Sequence, residues 1–236
     1  MTADPATAIR TALVVANSTD TDPGYVGERL VERGYTMRTV LRDRGEVPTD
    51  LAGVDSVVLL GSGWSVHSPV DPSALAAECD LVRSACSAGV PVLALCYGAQ
   101  VVAHALGGRV SLAAHPEIGF VEVATDDEAL VPAGPWAEFH SDVVEAPPDA
   151  LVVARNGCGT QAFLLPGVLA VQFHPEVVPD TLDDWSRRLP GLLVEAGLDR
   201  ETFVAEARER EPAARSAAYA LVDAFLDRVG FRTGPL

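Results

Sequence analysis

The 236-residue chain contains no lysine; all 17 of its basic side chains are arginine. Without lysine the chain cannot form a Schiff base, anchor pyridoxal phosphate or supply the ammonium group of a phosphate-binding P-loop. Positive charge is scarce altogether. The 33 acidic residues outnumber the 17 basic ones and give a formal net charge of −16, which repels nucleic-acid backbones and anionic lipid surfaces. Nucleic acid and membrane are therefore not expected partners. No apolar run approaches the roughly 18–20 residues of a membrane span. The N-terminal segment MTADPATAIRTALVVANSTD has neither the basic region nor the cleavage site of a signal peptide, so a cytoplasmic location is expected. The four cysteines form no CxxC and no regular spacing, which argues against a disulfide framework or a zinc site. No metal and no cofactor are expected.

What is present is ample apolar material. Hydrophobic residues make up 48% of the chain, enough for a sizeable core, and the length favours one large domain over residues 1–236. Residues 11–17 (TALVVAN) read as a buried strand. Residues 24–33 read as a helix closed by Gly34, and TMRTVL and DSVVLLG as two further strands. Residues 72–88, opening on Pro72 and followed by Gly89, form a second helix before the strand VPVLALC at 90–96. This order predicts an α/β fold: an open, mostly parallel, flavodoxin-like central sheet flanked by helices, with chemistry at the carboxyl ends of its strands. From 109 to 175 the runs become short and alternating (VSLAA, GFVEVA, ALVVARN, TQAFLL, VLAVQF), as in a small antiparallel or mixed extension. Residues 180–230 read as helical, with Glu195 to Arg215 as a solvated surface.

The sharpest segment is PVLALCYGAQVVAHALGG, residues 91–108. An apolar strand ends at Cys96, the chain turns through Tyr97 and Gly98, and a helix begins. That is the pattern of a nucleophile elbow, with the sulfur brought to a helix N-terminus where free N–H groups favour a thiolate and an oxyanion. A cysteine nucleophile needs a base and an orienting partner. AVQFHPEV, residues 170–177, offers His174 and Glu176 either side of Pro175, at the i, i+2 spacing that shares one side of an extended segment.

Together the two segments resemble the class I glutamine amidotransferases, whose glutaminase domain carries a G-x-C-x-G-x-Q elbow and a later Q-F-H-P-E. The matching residues are Ala94 to Gln100 and Gln172 to Glu176. The closest resemblance is to stand-alone relatives of the guanosine monophosphate synthetase glutaminase domain, and it extends over most of residues 11–178, the expected catalytic core. It implies a triad of Cys96, His174 and Glu176. It also implies an oxyanion loop at Gly61, Ser62 and Gly63 acting with the backbone of Tyr97, a substrate contact at Gln100, and a pocket segment His140-Ser141-Asp142 where the family has H-G-D. The H-P-E-I-G stretch at 115–119 has a counterpart in stand-alone members of that branch, and its histidine here is expected to be structural rather than catalytic. The sequence departs from the family where Ala94 replaces the first elbow glycine and where Ser62-Gly63 replaces G-P.

The implied reaction is hydrolysis of the γ-carboxamide of glutamine through a γ-glutamyl thioester, with ammonia passed to a separate synthase chain. A free-standing hydrolase of γ-glutamyl amides or peptides, and a non-catalytic binding relative, remain alternatives. The acceptor, the pathway and the oligomeric state are not readable. Of the other candidates, His104 is expected to pack beneath the sheet, His67 follows the oxyanion candidate, Cys79 and Cys86 are expected in the core, and Cys158 in a turn.

Overall fold

A computed structural model describes residues 10–229. Its centre is an eight-stranded sheet in the order β2-β1-β3-β4-β10-β9-β8-β6. The strands β1 (Arg10–Ala16), β2 (Tyr35–Leu41), β3 (Ser56–Leu59), β4 (Val92–Leu95) and β10 (Val168–Val171) run parallel. β9 (Thr160–Leu165), β8 (Leu151–Arg155) and β6 (Ala124–Thr125) extend the sheet antiparallel. The mostly parallel sheet, the helices around it and the antiparallel extension agree with the expected architecture. One strand is placed differently: VLAVQF, expected in the extension, supplies β10 beside β4 in the middle of the sheet. A separate two-stranded ribbon pairs β5 (Arg109–Val121) with β7 (Trp136–Glu145), with a register shift between Leu112 and Glu117.

The continuous apolar runs follow from burial of both sheet faces, since alternate side chains point to opposite sides. In β1, Ala12, Val14 and Ala16 join the core on one face, while Leu13 and Val15 join the core on the other. The second face is covered by α2 (Pro72–Ala88) and α3 (Tyr97–Ala105). α2 begins where the Asp71 carboxylate accepts the Ser73 and Ala74 N–H groups at 2.9 and 3.1 Å, and it ends at Gly89 in the left-handed region. The first face is covered by α1 (Gly24–Glu32) and by α6 (Arg200–Ala224), whose Leu221 and Val222 are fully buried there.

The C-terminal helical segment consists of α4 (Pro179–Arg188), α5 (Pro190–Glu195) and α6, which runs on into a π-helical turn (Phe225–Val229). The expectation that Glu195 to Arg215 is only a solvated surface is corrected by the packing. Phe203, Val204 and Ala207 are buried, and Phe203 and Ala207 pack with Ala137 and Phe139 of β7 and Leu182 of α4. The charged residues between them hide the apolar stripe because α6 buries only one narrow side. Among the described residues, no helix is long and apolar enough to cross a membrane.

Candidate active site

β4 and β10 lie side by side in register, Leu95 next to Val171. The chain therefore leaves both strands at one edge, and Cys96 and His174, 78 residues apart in sequence, emerge together. Cys96 occupies the left-handed region, φ 49° and ψ −107°, the one non-glycine residue with positive φ among those described. Its N–H donates to the Val171 carbonyl at 2.8 Å, and α3 begins at the next residue. This is the strand-to-helix elbow expected from the sequence. Gly98 makes it possible, because a β-carbon there would lie 2.4 Å from the Leu59 carbonyl oxygen. The departure at position 94 is accommodated: the Ala94 methyl points into the core on the α2–α3 side of the sheet.

After β10 the chain is irregular rather than extended, yet it still brings Glu176 to the histidine. Nδ1 of His174 lies 2.7 Å from Oε1 of Glu176, with both side chains almost fully buried. Nε2 is the nitrogen left for Cys96. Burial works against the imidazolium, but the charges of Cys96 and Glu176 outweigh it and hold the His174 pKa well above the ordinary range. Gly61 closes the site from the β3 side: a β-carbon there would fall 2.8 Å from Cε1 of His174 and 3.5 Å from Cβ of Cys96. Ser62 turns the loop by accepting the Trp64 N–H at 3.0 Å, and Gly63 has open space around it.

The family model for class I glutamine amidotransferases matches residues 26–185, which includes the elbow, the Gly61–Gly63 loop and the histidine–glutamate segment. The chain belongs to this family. Among curated relatives, a glutamine-hydrolyzing GMP synthase subunit from Sulfolobus acidocaldarius is 35% identical over 138 residues, covering 54% of this chain and 70% of that protein. The GMP synthase of Nitrobacter hamburgensis is 30% identical over 184 residues, covering 71% of this chain and 33% of that protein. The chain matches only 23% of the Bdellovibrio bacteriovorus GMP synthase, so it spans about a quarter to a third of such relatives. A solved glutamine amidotransferase from Thermotoga maritima shares the fold at a TM-score of 0.83 and 21% identity, covering 93% of this chain and 99% of that one.

In this amidotransferase the elbow opens into a cavity of about 510 Å³. Gly61, Ser62, Gly63, Gln100, Ser141 and Asp142 all line it. Tyr97 does not present its side chain there. Its ring is buried under the Arg42 guanidinium, 4.9 Å away, so only its backbone is available to the site. His140 touches the cavity but turns its ring away. Nδ1 is 2.9 Å from the Asp142 carbonyl oxygen, and Nε2 is 3.1 Å from carboxylate oxygens of both Glu117 and Glu138. Burial works against its protonation, but the two carboxylates outweigh it and push the imidazole up to about 10. The Asp142 carboxylate accepts the Ser65 hydroxyl at 2.5 Å, joining the pocket segment to the loop after β3.

His67 is exposed at the cavity and His115 is exposed on β5. His104 contradicts expectation: it is exposed on α3, because the buried side of that short helix is taken by Val101, Val102 and Ala105. Cys79 is buried and Cys86 half-buried in one core, and Cys158 is exposed in a turn.

Sequence reasoning missed the arginine beneath the Gly61–Gly63 loop. Arg42 is fully buried, as is Glu78, which its Nε meets at 3.0 Å. Its other nitrogens donate to Asn17 Oδ1 at 2.7 Å and to the carbonyls of Gly61 at 3.0 Å, Leu60 at 2.9 Å and Val15 at 3.2 Å. No motif marks two residues 36 positions apart. Gln172, whose Nε2 lies 3.6 Å from the Cys96 sulfur, was visible only as the first letter of Q-F-H-P-E. Trp185 of α4 packs its edge on His174, with ring centroids 4.8 Å apart, and lies beyond the motif.

Proposed function

We propose that the chain hydrolyses a γ-glutamyl amide bond, that of glutamine in the first instance, as one catalytic domain in which Cys96 is the nucleophile. The Cys96 thiolate attacks the δ-carbonyl carbon, and the carbonyl oxygen becomes an oxyanion facing the backbone N–H groups of the Gly61–Gly63 loop and Tyr97. His174, held protonated beside Glu176, gives its proton to the departing nitrogen as the C–N bond breaks. Water, deprotonated by His174, then cleaves the thioester to release glutamate and regenerate the thiolate. The observation that carries this reading is the strained Cys96 elbow set against a histidine already oriented by a carboxylate at 2.7 Å.

The Sulfolobus relative bears the name of one component of a GMP synthase, which supports a separate synthase chain as receiver of the ammonia. The cavity supports a second reading, a free-standing hydrolase. At about 510 Å³ it exceeds what a ten-heavy-atom amino acid fills, and Leu112, Leu189 and Leu192 line it as well. Purified protein assayed alone on glutamine and on a panel of γ-glutamyl alkyl and aryl amides tests both readings. Turnover of the amides without a partner favours the free-standing enzyme, whereas glutamine hydrolysis that starts only with a synthase favours the two-chain assembly. A glutamine-like diazo-ketone should label wild type at Cys96 and leave Cys96→Ala unlabelled; failure to label wild type would remove the catalytic reading.

A further inference from the structure

Behind the pocket segment, between the β5–β7 ribbon and the turn before β9, three side chains converge that the hydrolytic mechanism does not use. They are Glu117, Glu138 and His140, whose nearest ligand atoms all lie within 4.8 Å of one another. Glu138 has no solvent exposure, and neither of its carboxylate oxygens meets a hydrogen-bond donor. A wholly buried carboxylate without a donor is costly, so a proton or a cation must meet its charge.

The imidazole beside it is oriented for that purpose. A carbonyl oxygen can only accept, so the nitrogen 2.9 Å from the Asp142 carbonyl, Nδ1, carries a hydrogen and leaves Nε2 as the inward-facing atom. Nε2 lies 3.1 Å from Oε2 of Glu117 and 3.1 Å from Oε2 of Glu138, but neither oxygen stands in hydrogen-bonding alignment with it. The nitrogen points between the two carboxylates rather than at either. A proton on Nε2 would leave the trio with a net charge of −1 and Glu138 still short of donors. A divalent cation that displaces that proton brings two ionised carboxylates and a neutral imidazole to zero and can meet both carboxylates at once.

The two nitrogen-to-oxygen distances of 3.1 Å fit that occupant. Donor atoms bound at about 2.0–2.2 Å to one ion, as zinc binds His nitrogen and carboxylate oxygen, stand roughly 3 Å apart when they are cis. The supporting contacts are also those of a ligand set: the Nδ1–H is committed to a backbone carbonyl, and Glu117 is held by Asn156 Nδ2 at 2.6 Å and Gln161 Nε2 at 2.9 Å.

We propose that Glu117, Glu138 and His140 form a binding site for a borderline first-row divalent cation, with zinc as its representative. The nitrogen and two oxygens suit such an ion better than calcium or magnesium, which favour all-oxygen sets. The site is structural: it ties β5 to β7 directly behind His140-Ser141-Asp142 and so stiffens one wall of the substrate cavity. It includes no residue of the proposed triad, although His140 also touches the cavity wall.

The test uses the full chain, stripped with a chelator and then dialysed against zinc. Metal analysis should find about one zinc per chain, calorimetry should give a single class of sites, and the zinc form should melt at a higher temperature than the stripped form. Glu138→Gln and Glu117→Gln, which keep side-chain shape, should each weaken zinc binding at least tenfold and abolish the melting shift. Wild type that takes up no zinc overturns the proposal. So does uptake undiminished in both variants, which would place the metal elsewhere.

Discussion

At Cys96 a left-handed backbone holds a non-glycine residue, a conformation that costs on the order of 1–3 kcal/mol. Its neighbours sustain it through the bond to Val171 and the close approach that Gly98 allows. Two substitutions test how finely the site is set. Glu176→Gln preserves the shape of the side chain but removes the charge that orients His174. Steady-state kinetics should show kcat lowered by roughly 10²–10⁴-fold, with the protein still folded by circular dichroism. Gly61→Ala puts a methyl group 2.8 Å from Cε1 of His174, a ring that Trp185 flanks at a centroid distance of 4.8 Å. A displacement of the base by a fraction of an ångström should cost about 10²-fold in kcat/KM while the melting temperature changes little. A large loss of stability with full activity would instead make Gly61 a folding residue. The proposed triad was legible in the sequence because each part is a local string, an apolar run broken by C-Y-G or by H-P-E. The three carboxylate and imidazole groups behind the pocket were not, because Glu117 and Glu138 sit on different strands and only the β5–β7 register pairs Glu117 with His140.

Among the elements, the loop after β3 depends on Arg42, which sits in a 3-10 turn following β2 and reaches across β1 to grip three carbonyls. Its partner Glu78 comes from the opposite side on α2, and both side chains are wholly buried. Removing one member of such a pair leaves the other charge uncompensated, so Arg42→Ala should destabilise the fold by about 3–5 kcal/mol in urea unfolding. The double variant Arg42→Met/Glu78→Leu should recover much of that stability. Its activity should stay low, because the Gly61 carbonyl is no longer held. Full activity in the double variant would show that the loop keeps its shape without the arginine. The strands and the two central helices were readable from hydrophobic run length and caps. α6 was misread because its exposed Glu and Arg residues outnumber the few apolar ones that face β7.

Across the whole molecule, the last helix is fastened to the first. Asp223 of α6 accepts Arg29 Nη2 at 2.7 Å and Arg33 Nη1 at 2.5 Å, joining residues 190 or more positions apart. Hydrogen bonding from Arg29 holds the Asp223 carboxyl below the usual carboxylate range. A carboxyl whose folded pKa is depressed stabilises the fold above its unfolded pKa, and that contribution disappears as pH falls through the folded value. Asp223→Asn should therefore cost about 0.5–1 kcal/mol at neutral pH, given the partial exposure of the pair. Wild type and variant should converge in stability as the solution is acidified well below about pH 4. A difference that persists unchanged in acid would assign the effect to packing of α6 rather than to charge.

Composition and local pattern were enough for the fold class and for singling out Cys96, His174 and Glu176 as candidates. Burial on both sheet faces writes itself as continuous apolar runs, and an elbow needs small residues at fixed offsets from its cysteine. Assembly of the site belongs to contacts between distant segments. The β4–β10 register brings Cys96 and His174 to one edge, Arg42 grips the loop at Gly61 from below, and β5–β7 pairing gathers a buried carboxylate–imidazole cluster behind the pocket. Each of these depends on which strands become neighbours, a result of packing the whole core that no short stretch of residues encodes.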